Sequence, residues 1–243
     1  MITIKNLSVH YEEKTAVQDV TLTFQPGKIS GLIGANGAGK SSLLKACVGL
    51  IPEFEGSIAF DGKELSQNRF WVKQHCAYAP EDVELLPYLK GREFLQLIAT
   101  VRNSPQPEKE IDLLQQLFSL REAENELIIN YSHGMRQKIS LAAALIGEPD
   151  YLIFDEALNG MDALSLSRFK NFIDQLLSRG KTIVLSSHII SLIQSWCDPV
   201  ILMHEGEIFD TLSAGQIKKL EQQKKKSFTD IFVERVGTGQ KSA

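Results

Sequence analysis

The segment from Gly34 to Ser42, GANGAGKSS, brings glycines, a lysine and two hydroxyl side chains together in one short stretch. It fits G-x-x-x-x-G-K-[ST] and directly follows the apolar run Ile29 to Ile33, the strand-to-helix setting that this pattern requires. Glycines allow consecutive backbone N–H groups to point at an anion, to which a following helix adds its positive end. Lys40 would then contact the β and γ phosphates of a nucleotide, and the Ser41 hydroxyl would be a Mg²⁺ ligand.

The candidate nucleotide-binding residues of this phosphate loop are Gly34, Asn36, Gly37, Ala38, Gly39, Lys40, Ser41 and Ser42. The alternative is a glycine-rich turn that contains a lysine by chance. Residue frequencies give such a string in roughly one chain per hundred of this length, and the flanking strand and helix reduce that further.

Two adjacent carboxylates, Asp155 and Glu156, follow the apolar run Tyr151 to Phe154. Open parallel sheets form their ligand crevice at such strand ends. There Asp155 would hold Mg²⁺ through a water, and Glu156 would orient or deprotonate an attacking water. A solvated turn is the alternative for an isolated acidic pair, but the phosphate loop upstream favours the catalytic role.

Short apolar runs predict the strands that position these residues: Ile2 to Val9, Val17 to Phe24, Ile29 to Ile33, Ser57 to Phe60, Tyr151 to Phe154, Thr182 to Leu185 and Val200 to Met203. The last three runs are continuous, as expected for strands buried on both faces of a parallel sheet. Between the phosphate loop and the acidic pair the pattern becomes helical, from Phe94 to Phe118 and from Ser132 to Ile146. The predicted fold class is therefore α/β, with a helical subdomain that interrupts the sheet.

Composition is that of an ordinary globular protein, with 43% hydrophobic and 23% charged residues in a chain of 243. A formal net charge of -4 provides no global basic field, so no nucleic-acid partner is expected. Apolar runs are far shorter than the roughly 18 residues needed to cross a bilayer. The first residues lack the features of a secretory signal, which favours a cytoplasmic location.

Further motifs follow in a characteristic order: Tyr131 to Gln137, reading YSHGMRQ, then the acidic pair, then Asn159 to Asp162, reading NGMD, then His188. Together with the phosphate loop, this series resembles the ATP-binding cassette of ABC transporters from Met1 to about Leu220. The resemblance implies a P-loop NTPase (RecA-like) core with an antiparallel β-subdomain. It also implies an inserted α-helical subdomain at about residues 87–148, and it leaves residues 221–243 as a C-terminal tail.

In that family each ATP lies between the phosphate loop of one cassette and the signature segment of a second. The resemblance therefore implies that Ser132, His133 and Gly134 contact the γ-phosphate across a dimer, and that Asp162 also acts across it. Ser132 and Asp162 are in addition good helix N-caps, and a capping role is the alternative for both.

Three isolated residues gain a role from the same resemblance. His188 would contact the γ-phosphate and support Glu156, although a single histidine at a strand end is otherwise a polar surface group. Tyr11 would stack on adenine, the alternative being packing at the sheet edge. Glu81 is a candidate metal ligand where the family usually has glutamine; it brings negative charge to a phosphate site.

The implied activity is ATP hydrolysis with ATP and Mg²⁺ as cofactors, in the ATP-binding subunit of a transporter. Its implied partners are a second cassette, as a homodimer or heterodimer, and a separate membrane-spanning permease that holds the chain on the inner face of the membrane. His133 and Met135 resemble the signatures of the bacteriocin and drug exporter branch and favour export. The permease selects the cargo, so no residue here identifies it.

Two other functions fit the sequence less well. Soluble ABC ATPases of ribosomes or DNA usually carry two cassettes or a long coiled-coil insertion, and this sequence shows one cassette and no such insertion. A binding module without hydrolysis would lack Glu156 or His188, and both are present. The stretch Glu81 to Glu93, with Leu85, Leu86 and Leu89, is predicted to dock a short permease helix, unless these leucines only pack the helical subdomain.

Overall fold

The computed structural model of the chain describes residues 1–12 and 14–238. The strands within this part are β1 (Ile2–Tyr11), β2 (Lys14–Phe24), β3 (Ile29–Ile33), β4 (Glu55–Phe60), β5 (Lys63–Glu64), β6 (Cys76–Ala79), β7 (Tyr151–Asp155), β8 (Thr182–Ser186), β9 (Val200–His204) and β10 (Glu207–Leu212). The helices there are α1 (Lys40–Cys47), α2 (Arg69–His75), α3 (Gly91–Val101), α4 (Pro107–Leu117), α5 (His133–Leu145), α6 (Ala163–Ser178), α7 (Ile190–Trp196), α8 (Ala214–Lys224) and α9 (Phe228–Thr238).

The larger sheet has the strand order β10-β9-β3-β8-β7-β6. Its strands from β9 to β6 pair in parallel, and β10 pairs antiparallel with β9 at one edge. Every residue of β3, β7 and β8 is buried, as the continuous apolar runs predict. This order puts the carboxyl ends of β3, β7 and β8 at one edge, where the phosphate loop, the acidic pair and His188 follow them.

The smaller sheet, β2-β1-β4-β5, is antiparallel and confirms the predicted β-subdomain. Its inward side chains, such as Ile4 and Val20, share one hydrophobic core with Leu43 and Leu44 of α1 and with Ile153 of β7. Helix α1 is thus held between the two sheets, which fixes the direction of its amino-terminal end.

A helical region, α3 to α5, lies between β6 and β7 and forms the inserted subdomain. Arg92 of α3 ties it together through bonds to Asp112 (2.8 Å), Gln115 (3.1 Å) and Glu124 (3.2 Å). Buried apolar residues of α3, α4 and α5 join the core beneath the larger sheet. None of the helices in the described residues has the length and apolar character needed to cross a bilayer.

Residues 221–238 of the predicted C-terminal tail are largely helical. This segment completes α8 and forms α9, where Phe228, Ile231 and Phe232 are buried in the main core cluster. Their i, i+3, i+4 spacing places them on one apolar face of the helix. In the sequence this short pattern is hard to recognise because it directly follows the charged run Lys224 to Lys226. Residues 239–243 of the predicted tail lie outside the described residues.

Because Phe228 is only 1% exposed, Phe228→Ala should lower the free energy of unfolding by about 3–5 kcal/mol. Val233 on the same helix is 61% exposed, so Val233→Ala should change it by no more than about 0.5 kcal/mol. Urea unfolding of the two variants measures both values. Equal stabilities would show that α9 does not pack on the core.

Candidate active site

The phosphate loop runs from the end of β3 into α1 and depends on its glycines. Gly37 and Gly39 have positive φ values of +80° and +103°, which side chains with a Cβ disfavour. A Cβ on Gly39 would lie 2.2 Å from the carbonyl oxygen of Ala16. Gly34 and Ala38 are buried beneath the loop. The backbone therefore wraps tightly around an open centre.

Helix α1 begins at Lys40 with Gly39 as its N-cap, and no side chain in the described part of the chain caps it. The first four N–H groups of an α-helix have no acceptor within the helix. Here they belong to Gly39, Lys40, Ser41 and Ser42, all of which line the cavity above the loop. The free N–H groups and the positive end of the helix dipole make this cavity an anion-binding site.

The cavity has a volume of about 400 Å³. Its lining is Tyr11, Lys14, Ala16, Asn36, Gly37, Gly39, Lys40, Ser41, Ser42, Glu81 and Glu156. Tyr11 stands at the end of β1, is 46% exposed and lines the cavity. The sequence gives no signal for Lys14 and Ala16, because they lie on the neighbouring strand and belong to no motif.

Lys40 and Glu156 form a buried ion pair between the phosphate loop and the end of β7. The Lys40 Nζ lies 3.2 Å from Glu156 Oε1, and the two side chains are 5% and 6% exposed. Lys40 also donates to the carbonyl oxygens of Gly34 (2.9 Å) and Ala35 (3.3 Å). These extra bonds matter because a buried charge is stable only when it is paired and hydrogen-bonded.

Glu156 has two further partners on its other oxygen. Asn159 Nδ2 donates to Glu156 Oε2 at 3.1 Å, and His188 Nδ1 forms a hydrogen bond with the same oxygen. Burial raises the pKa of Glu156, but the bonds from His188 and Asn159 and the charge of Lys40 together outweigh it. The resulting pKa lies below the ordinary glutamate value, so Glu156 is ionised at neutral pH and can accept a proton.

Asp155 ends β7 with both carboxylate oxygens occupied by hydroxyl donors. Ser186 Oγ donates to Oδ1 at 2.7 Å, and the Tyr78 hydroxyl donates to Oδ2 at 2.8 Å. The donors come from β8 and β6, the strands on either side. Asp155 is 2% exposed, so these bonds fix its orientation.

Oxygen ligands for Mg²⁺ are present, but they do not form a complete set. In the parts of the chain described, no group of three or more His, Cys, Asp and Glu side chains is placed to hold a metal ion. Ser41 and Asp155 offer the hard oxygen atoms that Mg²⁺ prefers, and nucleotide phosphates usually supply the rest. The residues therefore fit Mg²⁺ bound together with a phosphate.

Glu81 lies on the open side of the cavity and is exposed. Burial raises the pKa of this carboxyl group above the ordinary range, and the negative charges of Glu156, Asp82 and Asp155 raise it further. Glu81 thus adds a carboxyl group to a region that already contains the carboxylates of Glu156, Asp82 and Asp155.

The signature residues Ser132, His133 and Gly134 do not line this cavity. Ser132 caps α5, with its Oγ accepting from the Met135 N–H at 3.2 Å, and both Ser132 and His133 are exposed. A Cβ on Gly134 would lie 3.8 Å from the carbonyl oxygen of Gly160. The exposed start of α5 therefore neighbours the loop after the acidic pair and is accessible to a second molecule.

Asp162 caps α6, as predicted. Its Oδ1 accepts from the Ser165 N–H at 2.8 Å, and Lys138 Nζ donates to Oδ2 at 2.9 Å. These bonds hold the pKa of Asp162 well below its usual range, with the lysine bond contributing most. The capping role is present whether or not Asp162 also acts across a dimer.

The sequence motifs do not assign the roles of three side chains at the site, Tyr78, Asn159 and Ser186. Asn159 lies in a recognised motif, but its bond to Glu156 depends on the turn that follows β7. Tyr78 lies on a strand that the apolar runs do not predict. A hydroxyl on each strand flanking the acidic pair is the signal that could have found Tyr78 and Ser186, once the strand order is known.

A phosphate loop beside an ionised carboxylate at the edge of an α/β sheet defines a P-loop nucleotide hydrolase. The family model described as ABC transporter matches residues 17–159. The chain therefore belongs to the ABC transporter family, and it is an ATP-binding subunit that hydrolyses ATP in transport.

The chain is similar to known ABC transporter ATP-binding proteins over most of its length. The chain is 33% identical to the ABC transporter ATP-binding protein NatA of Bacillus subtilis, over 98% of this chain and 99% of that protein. It is 30% identical to the bacitracin transport ATP-binding protein BcrA of Enterococcus faecalis, over 90% of this chain and 71% of that protein.

Solved structures share the fold. An ATP-binding subunit of an ABC transporter superposes with a TM-score of 0.89 at 28% identity, covering 96% of this chain and 98% of that one. A dimeric ATP-binding cassette bound to ADP and phosphate superposes with a TM-score of 0.79 at 20% identity, covering 88% and 99%.

Gly37 and Gly39 of the phosphate loop should respond differently to substitution by alanine. No atom of the described residues lies within 4 Å of a Cβ added at Gly37. Gly37→Ala should therefore destabilise the loop only through the strain of its positive φ, by about 1–2 kcal/mol. Gly39→Ala adds a collision with the Ala16 backbone, so the loop must move and ATP affinity should fall at least about tenfold.

Calorimetric titration with ATP measures both affinities. Gly180→Ala is the matched control, because Gly180 has a φ of +79° and open space but lies far from the loop at the end of α6. Equal ATP affinity in the Gly37 and Gly39 variants would contradict the steric argument.

Proposed function

We propose that this chain is the cytoplasmic ATPase of an exporter and works as an ATP-dependent dimer of cassettes on a separate membrane-spanning permease. The observation that carries the proposal is the pairing of Lys40 with the ionised Glu156 beneath an anion-binding loop. A phosphate bound in the loop would lie next to Lys40, which binds it, and next to Glu156, which can orient an attacking water.

The residues around the cavity have separate roles in ATP hydrolysis. Lys40 and the N–H groups at the start of α1 hold the β and γ phosphates. Glu156 orients the attacking water and accepts its proton, while His188 and Asn159 fix the carboxylate. The exposed ring of Tyr11 stacks on adenine at the outer end of the cavity.

Mg²⁺ would be held by Ser41 and Asp155, with Glu81 as the third candidate. When bound, the ion offsets negative charge on the phosphates as they react. The residues of the chain position it through fixed oxygen atoms, of which Asp155 is the most constrained.

A second cassette completes the site. The exposed start of α5 has free N–H groups and a positive dipole end, yet it does not line the cavity of its own chain. Ser132, His133 and Gly134 would therefore bind the γ-phosphate of a partner cassette, with Asp162 beside them. The similar cassette that carries ADP and phosphate is itself a dimer, which supports this arrangement.

The permease would dock in a groove of about 580 Å³ between α2, α3 and α5. Its wall includes exposed apolar side chains, Phe70 (75%) and Val101 (69%), together with half-buried Leu85. Leu85 and Leu89 both pack against the core, but Leu89 does not line the groove. Leu86 is exposed and does not line it either.

The charged side chains of this groove indicate what kind of helix it would bind. Burial lowers the pKa of Arg102, and among the described residues no carboxylate forms an ion pair with it. Lys73 and Glu84 line the same groove, so its charged lining has one more cation than anion. A short cytoplasmic helix with an apolar face and an acidic residue would offset this excess positive charge.

Export is favoured as the direction of transport. The signature YSHGMRQ resembles those of bacteriocin and drug exporters, and relatives include proteins named for bacitracin transport and lantibiotic transport. The cargo is set by the permease.

Replacing the proposed base tests the hydrolytic role. Glu156→Gln should retain ATP binding and lose most turnover, at least about a hundredfold, because the amide cannot accept a proton. Phosphate release and ATP titration measure the two effects. Exposed Glu53→Gln is the control, and turnover by Glu156→Gln near that of this control would rule out the assignment.

A charge in the groove tests the permease site. Val101→Asp should weaken co-purification with the permease in mild detergent by about tenfold or more, since it buries a new carboxylate in an apolar contact. Basal ATPase activity should be unchanged, because Val101 is distant in sequence and packing from the phosphate loop. Leu113→Asp, on α4 and 51% exposed, is the matched control. Full binding by folded Val101→Asp would place the docking surface elsewhere.

A further inference from the structure

The carboxylate of Asp155 is held by two hydroxyl groups from two different strands. Tyr78 of β6 donates to Oδ2 at 2.8 Å, and Ser186 of β8 donates to Oδ1 at 2.7 Å. In the strand register Tyr78 pairs with Ile153 and Ser186 pairs with Asp155 itself. The tyrosine thus reaches along the sheet, from one strand to the end of the next, to bond the acid.

The phenol acts as a donor and keeps its proton. Burial raises the pKa of Tyr78, and the adjacent charge of Asp155 raises it further. A carboxylate oxygen accepts more than one bond, so each oxygen of Asp155 keeps a lone-pair direction for a metal-bound water. Two donors in different directions therefore fix the plane of the carboxylate without consuming its capacity to bind.

We propose that Tyr78 is a positioning residue for the Mg²⁺ site, holding Asp155 in the orientation that binds the hydrated ion. The inference rests on the proposed metal role of Asp155. Groups that hydrogen-bond a metal ligand commonly affect metal affinity by about 10–100-fold when they are removed. Tyr78 is in that position, and no motif of the phosphate site includes it.

Packing alone does not require the hydroxyl. The Tyr78 ring is half-buried and forms part of the groove wall beside Phe94, where a phenylalanine ring would fill the same space. Tyr78→Phe therefore removes the bond to Asp155 and retains the ring contacts.

The experiment compares nucleotide affinity with and without the metal. Calorimetry with adenylyl imidodiphosphate, an ATP analogue with a β,γ-imido bridge, is run in excess Mg²⁺ and again in EDTA. The gain in affinity due to Mg²⁺ should be about tenfold smaller in Tyr78→Phe than in the wild type, while the affinity in EDTA is unchanged. The Mg²⁺ concentration for half-maximal ATPase activity should rise by a similar factor.

Two further variants serve as a comparison and as a control. Ser186→Ala removes the other donor and should act in the same direction as Tyr78→Phe. Tyr88→Phe is the control, because Tyr88 is 77% exposed and lies outside both the cavity and the groove. It should match the wild type in both conditions.

Other outcomes separate the inference from the proposed function. A wild-type Mg²⁺ gain in Tyr78→Phe, with that gain lost in Asp155→Asn, would overturn the role of Tyr78 and keep the metal role of Asp155. A wild-type gain in Asp155→Asn would overturn both. Equal loss of affinity by Tyr78→Phe in Mg²⁺ and in EDTA would show a structural role and contradict the proposal.

Discussion

The buried pair between Lys40 and Glu156 is the interaction on which the rest of the site depends. Both groups are charged and almost fully enclosed, so each needs partners that compensate for lost water. Lys40 has two loop carbonyls, and Glu156 has Asn159 and His188. We expect a nucleotide phosphate in the loop to compete with Glu156 for the same ammonium group, which would link phosphate binding to the charge around Glu156.

The strand order of the larger sheet brings Lys40 and Glu156 together. Because β8 lies between β3 and β7, the phosphate loop and the acidic pair meet at one edge of the sheet, with His188 following the strand between them. The next strand out, β6, brings Tyr78 to Asp155 and leads to Glu81 and the helical region. Tyr78 also lines the groove proposed for the permease, so one side chain contacts both Asp155 and that groove.

Local patterns in the sequence are sufficient to predict much of the fold and of the candidate site. The phosphate loop, the buried strands and the caps at Ser132 and Asp162 are predictable because each depends on a few adjacent residues. The bond between Tyr78 and Asp155 is not, because it requires knowing that β6 lies beside β7. Helix α9 escapes prediction since its apolar stripe is short and follows a run of lysines.

The most direct test of the competition for Lys40 is carbon-13 NMR of the Glu156 carboxyl group, assigned by its loss in Glu156→Gln. Addition of saturating adenylyl imidodiphosphate in EDTA should shift this signal, because the ammonium group leaves Oε1 for the phosphates while no metal is present. The carboxyl signals of exposed glutamates should stay in place. A Glu156 signal unchanged at saturation would show that Lys40 remains paired with Glu156 and would contradict the account.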